Sequence, residues 1–369
     1  MNRPRIRLGD LSVGLSLSLA ECLRAAGHDA QAVLERYGLD PERLAQPEAR
    51  LSIARYMHLG YTAMQMIGDP AFGLEAARHS RLSYLGLAGV TAQTAPDVQR
   101  AIETLVQFEP LFMQNYRGHS SLHPDDTGTW LRFYSISPFN DYNRFAVDTQ
   151  LAGWRRQLSQ VIGRPLPVDR VQFEFDAPCY AERYEFHFGA KVEFGAPHSQ
   201  IRLSRDTLRL AGIEHCPGTW HHLSSLCEAE LTRRTRTHTV RERVVQLIGP
   251  LLHGREPELE EVAAQLQLPP WTLRRKLADE GTGFRDLLAD TRRDLAVAYI
   301  RDTRLTFGEI AYLLGFSSAE AFQRAFKRWC HCTPGEYRRS KPLSSPHNST
   351  ASSGSSSAER GLDSNHSST

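Results

Sequence analysis

Two short segments near the C-terminus carry side chains that match the hydrogen-bonding edges of DNA bases. Arginine pairs with guanine O6 and N7, glutamine pairs with adenine N6 and N7, and glutamate accepts a hydrogen bond from cytosine N4. The candidates for base contact are Thr272, Arg274 and Arg275 in the first segment and Glu320, Gln323 and Arg324 in the second. Basic neighbours are better placed for phosphates; they are Lys276, Lys327, Arg328 and Arg338. The alternative is a solvated basic helix face, which the repetition of the pattern argues against.

Each segment is predicted to be the second helix of a helix-turn-helix unit. Apolar residues that recur at i, i+3, i+4 and i+7 define one buried helix face. In the supporting helices of the two units, at 258–283 and 306–335, these residues are Leu259, Val262, Ala263 and Leu266, then Phe307, Ile310, Ala311 and Leu314. A break at 268–270 and Gly315 supply the turns. Thr333 and Pro334 suit the N-cap and the first residue of a closing helix.

One continuous helix is predicted to join the two units. Residues 284–302 contain good helix formers and neither Gly nor Pro. At about 1.5 Å per residue this helix is roughly 28 Å long. Half-sites on one face of DNA lie about 34 Å apart, so a rigid connector of this length brings both units of one chain close to that spacing.

Three runs complete the second unit, namely GEIAYLLGF at 308–316, FQRAFKR at 322–328 and TPGEYR at 333–338. In order and spacing they resemble the DNA-binding domain of AraC/XylS-type transcriptional regulators, and the resemblance extends over about residues 240–340. It implies that both recognition helices enter neighbouring major grooves. His331 stands where this family usually has glycine. A non-glycine residue at a positive φ costs about 1 kcal/mol, so we expect a less stable final turn and an unchanged fold.

The distribution of charge supports DNA binding more than the net charge does. The chain has 44 Lys and Arg against 42 Asp and Glu, and residues 238–340 hold 16 basic and 14 acidic side chains. Such a balance provides no strongly basic tail for non-specific binding to phosphates. The acidic residues are concentrated at the first supporting helix, whereas the recognition helices are mainly basic.

Residues 1–220 are predicted to form an α+β regulatory domain. Capping residues and glycine stops predict helices over 15–26, 30–37, 53–66, 71–79 and 97–108. The later pattern predicts a hairpin of strands 113–121 and 129–137, helix 139–162, strand 170–175, helix 180–188 and strands 191–194 and 199–203. Helices followed by antiparallel strands are typical of an α+β domain.

The remaining segments complete the predicted organisation of the chain. A helical connector at 221–238 leads into an all-α DNA-binding domain at 239–340. The tail at 341–369 is rich in Ser and has almost no apolar residue. It buries too little surface to offset its ordering entropy, so it is predicted to be disordered.

Part of the N-terminal domain resembles a known sensor. The run LGLAG at 85–89, the aromatic residues Phe173, Tyr180 and Tyr184, and the later Phe-Gly pairs at 188–189 and 194–195 carry the likeness. They are similar to the arabinose-binding-domain-like sensor of one AraC subgroup, which includes ornithine-utilisation regulators, over about residues 25–210. The resemblance implies effector sensing, not arabinose in particular, and activation as the commoner mode of action.

A ligand pocket needs an apolar lining with a few oriented polar groups. The candidates lie on or beside the predicted hairpin and are Phe112, Tyr116, Trp130, Arg132 and Tyr134. Arg132 suits a carboxylate, which a guanidinium binds through two parallel hydrogen bonds. In the alternative, which is the commoner case, the aromatic side chains form the sheet core and Arg132 is an exposed strand residue.

Cysteine and histidine spacing favours neither disulfides nor a metal site. The six cysteines are scattered, as in proteins of a reducing cytoplasm. Cys330-His331-Cys332 and His215-Cys216 with His221-His222 lack the paired spacing of a tetrahedral zinc site. The sequence also lacks the long apolar run of a membrane-spanning helix. We therefore expect a cytoplasmic protein with no cofactor, no metal and no membrane partner.

Together these patterns predict a bacterial one-component transcription regulator that is not an enzyme. Its expected partners are double-stranded promoter DNA, a small-molecule effector and, if it is an activator, RNA polymerase; a homodimer is compatible with this plan. One alternative keeps the DNA function but makes the N-terminal domain a dimerisation or protein-interaction module without a ligand. The other, an enzyme with a DNA-binding appendage, requires a nucleophile elbow or a cluster of zinc-ligating cysteines. Neither pattern occurs in the sequence, and Cys22 lies in a predicted helix.

Overall fold

The chain folds around two separate hydrophobic cores in a computed structural model. The structure describes residues 9–340 apart from 116, 237–238, 253 and 304, so the predicted tail at 341–369 and Tyr116 lie outside the described residues. The first core extends from Leu11 to Cys227 and the second from Val244 to Phe326. The predicted combination of an α+β N-terminal domain and an all-α C-terminal domain is confirmed.

The N-terminal domain is rich in short helices whose ends follow local sequence signals. In chain order they are α1 Ser16–Ala25, α2 Ala30–Arg36, α3 Pro41–Leu44, α4 Ile53–Ile67, α5 Phe72–Ala77, α6 Leu87–Gln93, α7 Val98–Gln107, α8 Glu109–Phe112, α9 Arg144–Ile162, α10 Glu182–Phe188 and α11 Arg205–Leu208. Asp29, Ser52 and Asp97 cap α2, α4 and α7 by accepting hydrogen bonds from backbone N–H groups. Gly38 and Gly68 take positive φ just after α2 and α4, where glycine is favoured.

The described strands form two sheets. They are β1 Gly9–Ser12, β2 Arg50–Ser52, β3 Met113–Asn115, β4 Ser121–Asp125, β5 Gly128–Arg132, β6 Arg170–Gln172, β7 Lys191–Glu193 and β8 Gln200–Ser204. The smaller sheet has the order β2-β1-β3 and is antiparallel. The larger sheet has the order β4-β5-β8-β6-β7.

Several of the strand predictions are wrong in part, and the predicted strand 129–137 ends at Arg132 as β5. Residues 113–121 do not form one strand of a hairpin, because β3 pairs with β1 and the partner of β5 begins at Ser121. The approach of β3 to β1 depends on Gly9, where a Cβ atom would lie 2.1 Å from the Gln114 carbonyl oxygen. The later strands are not all antiparallel, since β6 and β7 run parallel and α10 provides the crossover that parallel neighbours need.

The C-terminal helices agree closely with the predicted helix-turn-helix pattern. They are α12 Pro217–Arg236, α13 Val240–Leu251, α14 Leu259–Gln265, α15 Pro270–Asp279, α16 Phe284–Asp302, α17 Phe307–Leu313, α18 Ala319–Cys330 and α19 Pro334–Ser340. Thr306 and Glu309 form a reciprocal capping box at the start of α17. The helix α16 is continuous, so one rigid rod connects the two units. Within the described part of the chain, no helix is long and apolar enough to span a membrane.

The N-terminal and C-terminal domains contact each other directly. Ile53, the first residue of α4, packs against both hydrophobic cores, and α4 contacts α16. The connecting helix α12 lies on the N-terminal domain, where Cys227 is buried with its Sγ 3.3 Å from Thr91 Oγ1. Arg234 of α12 pairs with Glu48 at 3.1 Å. These contacts fix how the connector and the rod meet the N-terminal domain.

Candidate DNA-binding surface and interdomain cavity

The first recognition helix is α15, which buries its apolar face and presents its basic face. Leu273 and Leu277 are fully buried, while Arg274, Arg275 and Lys276 are exposed and Thr272 is half-buried. The Arg274 side chain is 70% exposed and its Nη2 lies 3.6 Å from Glu260 Oε1. An ion pair this exposed contributes little to stability, so the guanidinium is available to a ligand.

The sequence-based prediction of this surface left out one exposed aromatic side chain of α15. Trp271 is 64% exposed, and the Arg275 guanidinium lies over its ring at 5.5 Å from the centroid. A large exposed aromatic residue next to arginines that are predicted to contact bases offers apolar contact to thymine methyl groups and sugars. The sequence did indicate this exposure, because Trp271 does not lie on the apolar helix face that Leu273 and Leu277 define.

The second recognition helix, α18, repeats this arrangement. Phe322, Ala325 and Phe326 are buried, and the predicted contact residues Glu320, Gln323, Arg324, Lys327 and Arg328 are all exposed. Ser318 caps the helix by accepting from Ala321 N at 3.2 Å. Hydrogen bonds from the Glu320 backbone N–H and from Ser318 lower the pKa of the Glu320 carboxyl. The carboxylate therefore stays charged and suits a cytosine amino group.

Arg338 does not join this surface. Its Nη2 donates to the Leu305 carbonyl oxygen at 2.6 Å, its Nε donates to the Ile300 carbonyl oxygen at 3.4 Å, and its guanidinium lies 4.6 Å from the Phe307 ring centroid. Burial lowers the pKa of this guanidinium. The side chain thus ties α19 to the end of α16, and the predicted phosphate contact has no support in this geometry.

Arg292 of α16 links the two helix-turn-helix units. Its Nε and Nη2 donate to the carbonyl oxygens of Leu314 and Gly315 at 2.8 and 2.9 Å. Its Nη1 donates to Glu256, just before α14, at 2.9 Å. The guanidinium also lies 4.9 Å from the Phe316 ring centroid. Because unpaired helix-end carbonyls are costly, this one side chain fixes the turn that orients α18.

Among the described residues, five positions that follow helices of this domain have left-handed backbone, and two of them lack glycine. Gly254, Gly281 and Gly315 have φ 68°, 71° and 67°, while Gln267 and His331 have φ 55° and 60°. The prediction that His331 occupies a position of positive φ without a change of fold is confirmed. Gln267 follows the C-cap residue of α14, which is the position that Gly315 holds after α17 in the second unit. No sequence signal identified it in advance.

An apolar cavity lies where the N-terminal domain meets α16. Its volume is about 130 Å³. The larger apolar side chains of its lining are Leu11, Leu15, Ile53, Met57, Leu85, Leu105, Phe112, Met113, Phe133, Ile136, Trp154 and Leu305. Neutral hydrogen-bonding groups interrupt this lining, among them Asn115, Tyr134, Asn143 and Gln157. An apolar cavity with a few polar groups is the usual form of a small-molecule site.

The DNA-binding domain supplies one wall of this cavity. Tyr299 and Thr303, at the C-terminal end of α16, and Leu305, which precedes α17, line it together with residues of the N-terminal domain. Tyr299 is buried, and burial raises the pKa of its phenol. Leu305 is also the residue whose carbonyl oxygen accepts from Arg338. The cavity therefore touches the point where the rod leads into the second unit.

Comparison with known proteins matches each of the two domains to a family. Residues 27–211 match the family described as the arabinose-binding domain of AraC transcription regulators, and residues 262–340 match a helix-turn-helix domain. An ornithine utilization regulator of Pseudomonas aeruginosa is 30% identical over 329 residues, which cover 88% of this chain and 95% of that protein. The chain belongs to the AraC family of transcription regulators.

Other transcriptional regulators match over nearly the same length. The regulator VirS of Mycobacterium tuberculosis is 28% identical over 340 residues, covering 90% of this chain and 98% of that protein. Among solved structures, the transcriptional regulator CdpR of Pseudomonas aeruginosa is 23% identical, covers 88% of this chain and 98% of that chain, and superposes with a TM-score of 0.44.

The effector residues predicted for this AraC-family chain do not all line the cavity. Phe112 and Tyr134 line the cavity, and Tyr116 lies outside the described residues. Trp130 and Arg132 are absent from the described lining. The Trp130 ring is 6.0 Å from the Arg202 guanidinium, and Arg132 Nε donates to Gln200 Oε1 at 2.9 Å. Because side chains alternate along a strand, these two residues point away from the face that carries buried Leu131.

Buried carboxyl groups hold the elements that surround the cavity. Asp148 of α9 is fully buried and accepts from Tyr184 Oη at 2.8 Å, and burial raises its pKa to about 7. Glu109 of α8 accepts from Ser120 N at 2.7 Å and from Ser120 Oγ at 2.6 Å. Burial raises the pKa of Glu109 to about 7 as well. Both groups are satisfied by neutral donors, which is how proteins accommodate buried carboxyls.

The cysteine and histidine clusters show no metal-binding arrangement. Over the described residues, no group of three or more Cys, His, Asp or Glu side chains is positioned to hold a metal ion. His215 Nδ1 is 2.9 Å from the Thr94 carbonyl oxygen, and Thr219 Oγ1 is 3.2 Å from Cys216 Sγ. These contacts give both side chains local structural partners.

Proposed function

We propose that this AraC-family chain is a one-component transcription regulator in which a small molecule in the interdomain cavity controls the presentation of two DNA-reading helices. One observation carries the proposal: the rod α16 joins both helix-turn-helix units and also lines the cavity through Tyr299, together with Thr303 directly after its end. A ligand there contacts the sensor and the DNA-binding domain together. We assign no catalytic residue, and the proposed role is regulatory rather than enzymatic.

The exposed faces of α15 and α18 are proposed to read bases in neighbouring major grooves. Arg274 and Arg324 suit guanine, and Gln323 suits adenine. Lys276, Lys327 and Arg328 are exposed on the same helices and suit phosphates, which set the register of the protein on DNA. Two units on one rod of 19 residues give one chain access to two elements about one helical turn apart.

Coupling between the cavity and DNA is proposed to act through the end of α16. A ligand shifts an equilibrium only if it binds two arrangements with different affinity. Tyr299, Thr303 and Leu305 line the cavity, so any movement of α16 against α4 changes the ligand site itself. The cavity favours a sensor over an interaction module without a ligand. We further propose activation through RNA polymerase, with a homodimer as the assembly on DNA.

The effector class does not follow from the relatives. One relative is named for ornithine utilization, but ornithine carries two ammonium groups. Among the described residues that line the cavity of this chain there is no carboxylate to pair with them. Burying an ammonium group without a partner costs several kcal/mol. We therefore do not propose ornithine as the effector of this chain.

The DNA-reading proposal is tested by selecting genomic DNA fragments with the purified full-length chain. We expect one bipartite motif with elements about one helical turn apart. Arg274→Ala should relax base preference at one element and Arg324→Ala at the other, each by about 1–3 kcal/mol. Arg36→Ala removes an exposed arginine of α2 and should leave the motif unchanged. Loss of preference at both elements in either variant, or no enrichment with or without a ligand, would contradict the proposal.

A further inference from the structure

We propose that the interdomain cavity selects a compact, largely apolar molecule whose polar group is neutral or negatively charged, and that it rejects ammonium compounds. This inference deepens the proposed function and rests on it, because it assigns the ligand class of the same regulatory site. It follows from three properties of the cavity, namely its volume, the chemistry of its lining and the sign of its charge.

The volume limits the ligand to about one ring or a short branched chain. The cavity measures about 130 Å³, which is close to the engineered apolar cavity of about 150 Å³ that binds benzene. Met57, Phe133 and Trp154 are among the side chains that surround it. Such side chains stabilise an apolar ligand by removing its surface from water.

The charge of the lining excludes a buried cation. In the described part of the lining, Arg117 is the one residue with a full charge. Its Nη1 donates to the Ile136 carbonyl oxygen at 2.9 Å and its Nη2 donates to the Ser137 carbonyl oxygen. These bonds hold the positive charge at the cavity wall. A ligand carboxylate or hydroxyl gains from such a neighbour, whereas an ammonium group is repelled.

Two carboxyl groups lie near the cavity, but neither belongs to its described lining. Glu109 accepts both hydrogen bonds from Ser120 and is almost completely buried. Glu174 accepts from Ser199 Oγ at 3.1 Å. Burial raises the pKa of its carboxyl, and the positive charge of Arg117 opposes that rise. Both carboxyls are occupied by protein groups, so neither is presented to a ligand as the partner of an ammonium.

Neutral hydrogen-bond donors complete the polar end of the site. Asn115 Nδ2 donates to Tyr134 Oη, and both side chains line the cavity beside Arg117. The Asn115 Oδ1 accepts from Arg117 N at 2.8 Å. This connected group fixes the polar atoms before a ligand arrives, which lowers the ordering cost of binding.

The test uses three probes that share one ring and differ in the charge of the polar group. They are cyclohexanecarboxylate, cyclohexylmethanol and cyclohexylmethylamine, and binding to the full chain is measured by calorimetry and thermal shift. We expect the carboxylate and the alcohol to bind at least about tenfold more tightly than the amine, which corresponds to about 1.4 kcal/mol. Equal or tighter binding of the amine would overturn the ligand class.

Two variants locate the binding. Ala146→Leu enlarges a side chain of the lining and should abolish binding of the carboxylate and the alcohol, whereas the matched control Ala25→Leu, at an exposed position of α1, should not. Arg117→Gln should weaken the carboxylate about tenfold and the alcohol less than threefold, because a charged carboxylate interacts more strongly with the guanidinium than a neutral hydroxyl does. Retained binding in Ala146→Leu would refute the site, and that readout does not depend on the Arg117 variant being folded.

The outcomes separate this inference from the proposed function. If the chain selects a bipartite DNA motif but binds none of the three probes, the ligand class is wrong and the DNA-reading proposal stands. If the probes bind in the expected order but no DNA is enriched with or without them, the cavity assignment stands and the regulatory function fails.

Discussion

Arg292→Met offers the sharpest test of how the second recognition helix is held. Arg292 is 9% exposed, and its guanidinium donates to the carbonyl oxygens of Leu314 and Gly315 at 2.8 and 2.9 Å. Hydrogen bonds from a charged donor contribute about 1.5–3 kcal/mol each. The third bond, to Glu256, involves a carboxylate that is 61% exposed and contributes at most about 1 kcal/mol.

Methionine keeps much of the length and apolar contact of the arginine stem, so the loss is mainly that of the two carbonyl bonds. We expect the free energy of unfolding of the DNA-binding domain to fall by about 3 kcal/mol. In a domain of about 100 residues, each kcal/mol lowers the melting temperature by roughly 4–8 °C. The assay is urea unfolding of the full chain followed by tryptophan fluorescence and circular dichroism, with DNA affinity measured on the selected motif.

The control variant is Glu256→Gln, which keeps both carbonyl bonds and should cost less than about 1 kcal/mol. Arg292→Met should also weaken binding at the element read by α18 more than at the element read by α15, because Gly315 begins the turn before α18. A loss below about 1 kcal/mol, or equal losses in both variants, would refute the view that Arg292 acts as a cap of this turn.

Three further results are expected. His331→Gly should stabilise the chain by about 0.5–1 kcal/mol in thermal melts, since a side chain at φ 60° is strained. The control His222→Gly, on the exposed face of α12, should instead destabilise the chain by about 1 kcal/mol. If His331→Gly brings no gain in stability, the backbone at this position is not strained. Because the pKa of Glu109 is raised from 4.5 to about 7, its contribution to stability is fully present below about pH 4.5 and is lost as the pH rises through 7. Glu109→Gln should therefore show a smaller loss of stability between pH 5 and pH 8 in urea titrations, and identical pH dependence in both proteins would refute this. Trp271→Ala should weaken binding to the selected DNA about fivefold in fluorescence anisotropy, or about 1 kcal/mol, with unfolding unchanged because the ring is 64% exposed; unchanged affinity would remove Trp271 from the DNA-binding surface.

The C-terminal domain could be predicted from sequence because its signals are local. Capping at Thr306, the turn at Gly315 and the apolar spacing of α18 all act within a few residues. The same holds for the caps Ser52 and Asp97 in the N-terminal domain. The bounds of the helices that were predicted therefore agree with the structure to within five residues, whereas the short helices α3, α6, α8 and α11 were not predicted.

The small sheet and the cavity could not be predicted because they depend on pairing across long stretches of chain. Leu11 pairs with Leu51 and with Met113, and neither partner is indicated by the four residues of β1. The cavity adds Tyr299, which is nearly 300 residues from the first strand. Arg132 was predicted to bind the effector because its strand could be identified from the sequence, but the side of that strand that faces the cavity could not.

The wall that Tyr299, Thr303 and Leu305 contribute to the cavity has a thermodynamic consequence for the promoters. If a ligand changes the affinity of the chain for DNA by some factor, DNA must change the affinity for the ligand by the same factor. Sites whose two elements differ slightly in spacing would hold α16 differently, and the same chain would then respond to different concentrations of one metabolite at different genes. The ligand concentration at which each gene responds would then depend on the spacing of the two DNA elements at its own promoter.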